Sequence, residues 1–225
     1  LRLTEQAKKV VHIPHLLYYW RSSPTSVASN ISAKMYCLEA AMKALRAHYK
    51  RVGVPVDDVT MIPNTPGFYK TDYTITKPGK VSILIPNKDH VDDLEKCLFS
   101  LYSKTLYEAF EVIVIENNST DPATKAYYEK LPDRYANCRV VAYSGGFNFS
   151  RINNFGRKFA NGKFLLLLNN DIEIISGNWL TQMVAEASQP GVAACGAMLY
   201  YPDDTIQHAG VGFGIGGVAG HLHKY

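Results

Sequence analysis

Apolar positions along this chain keep one rhythm up to about residue 53, lose it, and take up another after residue 80. From Ser32 to Val52 they fall at Met35, Leu38, Met42, Leu45, Tyr49 and Val52, three or four residues apart, which places them on one face of a helix. Ser32 is positioned to cap its start and Gly53 to stop it. Val54 to Lys80 holds four prolines and little periodicity, so it reads as a linker crossing a surface. Residues 1–79 are therefore expected to form a helical and extended appendage, and residues 80–225 a second domain.

The second rhythm alternates apolar runs with amphipathic stretches. The run Val81 to Pro86 predicts a strand, and a helix led by Asp89 follows with Leu94, Leu98 and Leu101 turned inward. A strand at Phe110 to Ile115 empties into Glu116-Asn117-Asn118-Ser119-Thr120-Asp121-Pro122, where Asp121 can cap a helix and Pro122 fits its first turn. Next come a short strand at Arg139 to Tyr143, a break at Gly145-Gly146 and a helix from Ser150 to Ala160. Phe164 to Leu168 reads as a buried parallel strand running into Asp171, with a helix near Trp179 to Ala187 and a strand at Val192 to Met198 after it. Four right-handed crossovers in a row predict an α/β fold, a doubly wound and mostly parallel sheet.

Composition changes this picture little. A length of 225 residues holds one full domain with an appendage, or two small domains. The longest apolar runs are far short of the roughly 20 residues that span a bilayer, and no signal peptide is expected from the opening residues. The net charge of +4 is spread, with local basic spots at Lys8-Lys9 and at Arg46, Lys50 and Arg51 that can lie on an anionic surface or simply face water. No nucleic-acid partner is expected. Cys37, Cys97, Cys138 and Cys195 show no paired spacing, which argues against a zinc site or a disulfide framework and for a reducing compartment. With Leu1 in place of an initiator Met and a glycine-rich stretch running to Tyr225, the sequence is expected to be a piece of a longer protein.

The candidate chemistry sits where the apolar strand ends. Asn169-Asn170-Asp171-Ile172-Glu173 places two carboxylates one residue apart at its carboxyl end, the side on which open α/β sheets bind ligands. Such oxygens suit a hard divalent cation carrying a diphosphate, Mn2+ or Mg2+. Taken with Val81 to Lys88, Val114 to Asp121 and Asn153-Asn154-Phe155-Gly156, this segment resembles the glycosyltransferase family 2 enzymes of the GT-A fold, from about Lys80 to Tyr225.

The resemblance implies transfer of a sugar from a nucleotide-diphospho-sugar donor to a saccharide hydroxyl, with inversion at the anomeric carbon. Asp171 then occupies the metal-binding acidic position and Glu173 is its second acid, where the usual Asp-x-Asp pattern ends in Asp. Glu116 stands where relatives carry an Asp that accepts from the nucleobase. A carboxylate there favours uracil, thymine or guanine, hence UDP-, dTDP- or GDP-linked donors. Pro86 and Asn87 line the same pocket, and Asn118 and Asn170 join the nucleotide-binding set. Arg151, Asn153 and Asn154 lie in the region where relatives contact the nucleotide or its phosphates; Ser150 is expected to cap that helix, and Phe147, Phe149 and Phe155 to pack in the core. His208, after Asp203 and Asp204, is a candidate contact to acceptor or phosphate, and His221 with His223 can share a strand face as metal ligands. The general base of the family belongs to a later acidic motif. No Asp or Glu follows Asp204, so the base is expected beyond Tyr225 and this stretch is expected to bind donor better than it turns it over.

Val11 to Arg21 resembles the closing segment of family 2 domains in bacterial tandem transferases, which makes the first 75 or so residues the tail of a preceding unit plus a helical linker; a private helical cap is the alternative. The resemblance implies work in the cytoplasm in surface-polysaccharide assembly, with peripheral association at the inner face of the plasma membrane. The rival reading is a non-catalytic nucleotide-sugar-binding or scaffold module. A nucleotidyltransferase or dinucleotide oxidoreductase is disfavoured, because the loop Pro86-Asn87-Lys88-Asp89-His90 has no glycine and no G-x-G-x-x-G follows a strand.

Overall fold

The computed structural model describes residues 1–19, 36–76, 78–214 and 217–222, and the chain divides into two compact units, Leu1–Thr76 and Lys77–Tyr225. In the first unit a short helix α1 (Arg2–Gln6) is tied to helix α2 (Tyr36–Val52) through Glu5, whose carboxylate accepts from Arg51 Nε at 2.8 Å and lies 2.6 Å from His48 Nδ1. Gly53 takes φ +71, the left-handed conformation a helix stop needs. Ser32 and Met35 lie outside the described residues. The proline-rich stretch is not a plain linker: strands β1 (Val56–Met61) and β2 (Tyr69–Tyr73) pair antiparallel within it. Its prolines sit outside both strands, where a missing N–H breaks no ladder bond.

The second unit is α/β. A four-stranded parallel sheet runs in the order β5 (Cys138–Ala142), β4 (Phe110–Glu116), β3 (Val81–Asn87), β6 (Phe164–Leu167). Helices α3 (Val91–Lys104), α4 (Pro122–Arg134) and α5 (Phe149–Gly156) connect consecutive strands, and α6 (Trp179–Ala187) follows β6. The alternation of a strand puts Leu84, Ile113 and Ile115 on one face, where Ile152 of α5 completes a fully buried cluster flanked by Val141, Tyr143, Phe155 and Ala160. Ile83, Ile85, Val112 and Val114 point the other way and are equally buried, so both faces of the two central strands are covered. The chain steps outward from β3 to β5 and then returns to the far side of β3 for β6, and that reversal makes the β3/β6 boundary the switch point of the sheet.

Several expectations need correction. The sheet has three crossovers rather than four, because Val192 to Met198 forms no strand; its Ala and Gly residues pack weakly in a pleat. Short antiparallel pairs follow instead, β7 (Leu199–Tyr200) with β8 (Ile206–His208) and β9 (Val211–Phe213) with β10 (Ala219–His221). The strand that enters the acidic segment is not buried throughout. It is the edge of the sheet, and Leu165 and Leu167 are 44% and 52% exposed. Asp89 does not lead α3, which starts at Val91 with His90 as its N-cap and no side-chain bond there. Asn148, not Ser150, caps α5, by accepting from the Arg151 N–H at 3.0 Å. Phe155 packs on the core as expected, whereas Phe147 and Phe149 are exposed.

Candidate functional site

Parallel register decides which side chains meet at the carboxyl edge of the sheet. Asn87 and Glu116 are direct partners at the ends of β3 and β4. On the other side the β3/β6 ladder ends at Leu84 opposite Leu167, with the Leu168 N–H donating to the Leu84 carbonyl at 3.0 Å. Continued by three residues, that register sets Asn170 level with Asn87, and Asn170 Nδ2 donates to Asn87 Oδ1 at 2.6 Å. The edge thus brings together residues from three separate sequence segments.

Asn87 is buried; its Nδ2 donates to the Asp89 carbonyl and to the Tyr128 hydroxyl, both at 2.7 Å. Pro86 is half-buried beside it. Glu116 is half-buried, and its carboxylate accepts a short bond from the Ser119 N–H, which leaves the second oxygen for another donor. Asn118 is exposed with φ 58, and its Nδ2 donates to the Gly145 carbonyl at 3.0 Å, as does that of buried Asn117 at 2.8 Å. These two amides fix the glycine loop ahead of α5. At the start of α5 Arg151 is exposed; Asn154 is exposed further along, and Asn153 is buried with its Nδ2 on the Phe149 carbonyl.

Asp171 is exposed in the turn after β6. Beneath that turn lies Cys97, whose Sγ is 3.7 Å from the Asn169 carbonyl. Burial pushes this thiol up to about 12, the Asp171 charge adding to the effect, so Cys97 stays protonated and inert. Glu173 is turned toward Lys104, its Oε1 3.7 Å from Nζ, while the same ammonium donates to the Ile174 carbonyl at 2.7 Å. Among the described residues no three His, Cys, Asp or Glu side chains converge to enclose a cation. A single free carboxylate at a ligand-facing edge fits a Mg2+- or Mn2+-type ion whose remaining ligands are phosphate oxygens and water, and does not fit a cation caged by protein alone.

His208 stands apart from these residues in its bonding. Its Nδ1 lies 2.9 Å from Nδ1 of His221, with the rings edge-on at 5.1 Å, and it borders a shallow groove of about 380 Å3 with Gly196, Met198 and Val211. The described partner of His221 is thus His208; His223 lies outside the described residues. Asp203 accepts from the Thr205 N–H and hydroxyl, which closes the turn before β8. Tyr128, Ser119, Cys97 and Lys104 were not singled out from the sequence. Only Ser119, inside the polar run after β4, carried a local signal.

A parallel sheet with acids and amides at its carboxyl edge is the framework of sugar-nucleotide transferases, and the chain belongs to glycosyl transferase family 2, whose sequence profile matches residues 82–211. It is 38% identical over 218 residues to "Uncharacterized protein y4gI" of Sinorhizobium fredii (strain NBRC 101917 / NGR234), which covers 97% of this chain and 24% of that one. It is 37% identical over 223 residues to "O-antigen biosynthesis protein RfbC" of Myxococcus xanthus, covering 98% of this chain and 17% of the relative. The chain therefore spans less than a quarter of the length of each of these curated relatives. Among solved structures, a mannosyltransferase from Pyrobaculum calidifontis, PcManGT in complex with GDP-Man and Mn2+, superposes with a TM-score of 0.50 at 18% identity over 77% of this chain and 47% of that one. That likeness establishes the GT-A fold.

Proposed function

We propose that residues 77–225 bind the donor in a glycosyltransferase that moves a sugar from a nucleotide-diphospho-sugar to a saccharide hydroxyl, with inversion at the anomeric carbon. One observation carries this reading: Asn87, Glu116 and the Asp171 turn stand together at the carboxyl edge of β3, β4 and β6, flanking the switch point where α/β sheets take ligands. Glu116 accepts from the ring N–H of uracil, thymine or guanine, and Pro86 and Asn87 form the pocket wall beneath the base. Asn118 acts by holding the Gly145 loop, and Asn154 belongs to the helix that faces the donor. Arg151 and the amino end of α5 meet the diphosphate. Asp171 would hold Mn2+ or Mg2+, and Glu173 is the second acid available to the ion. The ion, when bound, neutralises charge on the departing nucleoside diphosphate. His208 is assigned to the acceptor side.

Residues 1–76 are read as the tail of a preceding transferase unit with its helical linker. The Myxococcus relative named for O-antigen biosynthesis supports placing the reaction in bacterial surface-polysaccharide synthesis; work in the cytoplasm beside the inner membrane is part of the same proposal. No helix among the described residues is long and apolar enough to cross a membrane. A second reading is a donor-binding module without turnover, in which the strand-end pocket persists but the acceptor half does not function.

Calorimetry with UDP, dTDP and GDP, with and without Mn2+, tests the proposal. One of the three is expected to bind at least about tenfold tighter with the ion, a difference of about 1.4 kcal/mol. Asp171→Asn is expected to abolish that gain with the thermal unfolding midpoint unchanged. Flat titrations for all three diphosphates defeat the reading. Sugar release by a protein that extends past Tyr225 separates the enzyme from the silent module.

A further inference from the structure

The three strand ends at the ligand-facing edge are joined by a continuous line of hydrogen-bonded polar groups, side chains except for the Ser119 N–H, and most of them buried. It begins at Glu116, which accepts from the Ser119 N–H. Ser119, 5% exposed, also accepts at Oγ from the Asp89 N–H at 2.9 Å, and that Oγ lies 3.3 Å from the Tyr128 hydroxyl. Tyr128 of α4, 8% exposed, accepts in turn from Asn87 Nδ2, and Asn87, 3% exposed, accepts from Asn170 Nδ2. Asp171 is the next residue in the chain.

Two facts give this line a role beyond packing. After Leu168 the β6 segment leaves the ladder, so backbone pairing with β3 no longer fixes residues 169–171. The tie from Asn170 to Asn87 takes over at the level where the ladder would have continued, with the Cys97 thiol 3.7 Å from the Asn169 carbonyl beneath the turn. The buried Tyr128 hydroxyl bonds Asn87 and Ser119 and no other described group, whereas an apolar ring would fill the same space. In a desolvated network each member is held in place, because moving it leaves a buried partner unbonded.

We infer that Tyr128 and Asn170 are positioning residues, which act through Asn87 to hold the Asp171 carboxylate at a fixed distance from Glu116. The two ends of one donor, its base and its diphosphate with the cation, are then gripped at a set separation. This rests on the roles given to Glu116 and Asp171 under Proposed function.

The test uses the full chain and titrates Mn2+ at a fixed concentration of whichever of UDP, dTDP and GDP binds best. Wild type, Tyr128→Phe, Asn170→Ala and the double variant are compared, each checked by thermal unfolding. Each single change is expected to raise the Mn2+ half-saturation concentration by about threefold to tenfold, the size of one hydrogen bond. The double change is expected to add little to the larger single effect, because both act on one line of bonds. A purely structural role would lower the unfolding midpoint without moving half-saturation. Half-saturation unchanged in both singles, or fully additive losses in the double, overturns the positioning role and leaves the proposed function standing. Absence of Mn2+-dependent binding in wild type overturns both. Should Tyr128→Phe fail to fold, Asn170→Ala, at a half-buried position in the turn after β6, carries the comparison alone, and an unchanged value there is equally decisive against the role.

Discussion

Glu111 lies at the amino end of the sheet, opposite the ligand-facing edge, and is 2% exposed. Its carboxylate accepts from Ser82 Oγ at 2.6 Å and the Asn161 N–H at 2.8 Å, with Lys80 and Arg139 each at 3.1 Å. Burial alone would raise its pKa; the bonds from Ser82, Asn161 and Lys80 and the Arg139 charge outweigh it and bring the carboxyl down to about 2. A depressed carboxylate stabilises fully above its ordinary value of 4.5 and loses that contribution as pH falls toward 2. Glu111→Gln is therefore expected to lower stability by about 2 kcal/mol at pH 7, with the gap to wild type closing as denaturation is measured from pH 4.5 down to 2. A constant gap would mean the charge is not what holds this corner. Single residues of this kind are poorly legible in sequence. Asp89 shows why: an Asp before a helical run reads as a cap, yet its carboxylate accepts from the Thr120 and Asp121 N–H groups, 31 and 32 residues away, at 2.8 Å each.

Elements were read best where their signal is local. Asp121 caps α4 as its sequence predicts, accepting from the Ala123 and Thr124 N–H groups, with Pro122 at the first position. Those bonds, with the Thr124 hydroxyl the largest contributor, lower its pKa. Asp121→Ala is expected to drop the unfolding midpoint by a few degrees, and Asp121→Asn, which keeps one acceptor oxygen in place of the two that take the Ala123 and Thr124 N–H groups, to restore part of it; equal losses in circular-dichroism melts would show that the side chain does not act as a cap. β6 was read correctly as a strand and wrongly as interior, since an apolar run looks the same at the edge of a sheet as in its middle. The β1/β2 hairpin escaped because its strands, such as Tyr69-Lys70-Thr71-Asp72-Tyr73, are polar and pair with each other in a two-stranded sheet. α5 starts at Phe149, one residue before expectation, because the Asn148 amide supplies the cap that Ser150 was given.

Across the whole molecule the two units differ in the core each can bury. Among the described residues the first unit fully buries only Leu38 and Val59 as apolar side chains, while β3 and β4 alone contribute Val81, Ile83, Leu84, Ile85 and Val112 to Ile115. Local opening free energy follows buried contact. Hydrogen exchange is therefore expected to label residues 56–73 well before residues 81–87 and 110–116, and comparable protection in the two sets would contradict separate cores. Alternation of apolar runs with helical stretches, the strand-end acids and the α4 cap were all written in the sequence, because each depends on neighbours within a few positions and on a fixed backbone period. Tertiary structure alone decided that β6 is an edge, that Asp89 serves the α4 entry loop and that Asn170 meets Asn87. Those bonds join residues as far as 83 positions apart, and strand register, which no local pattern encodes, sets which of them come level.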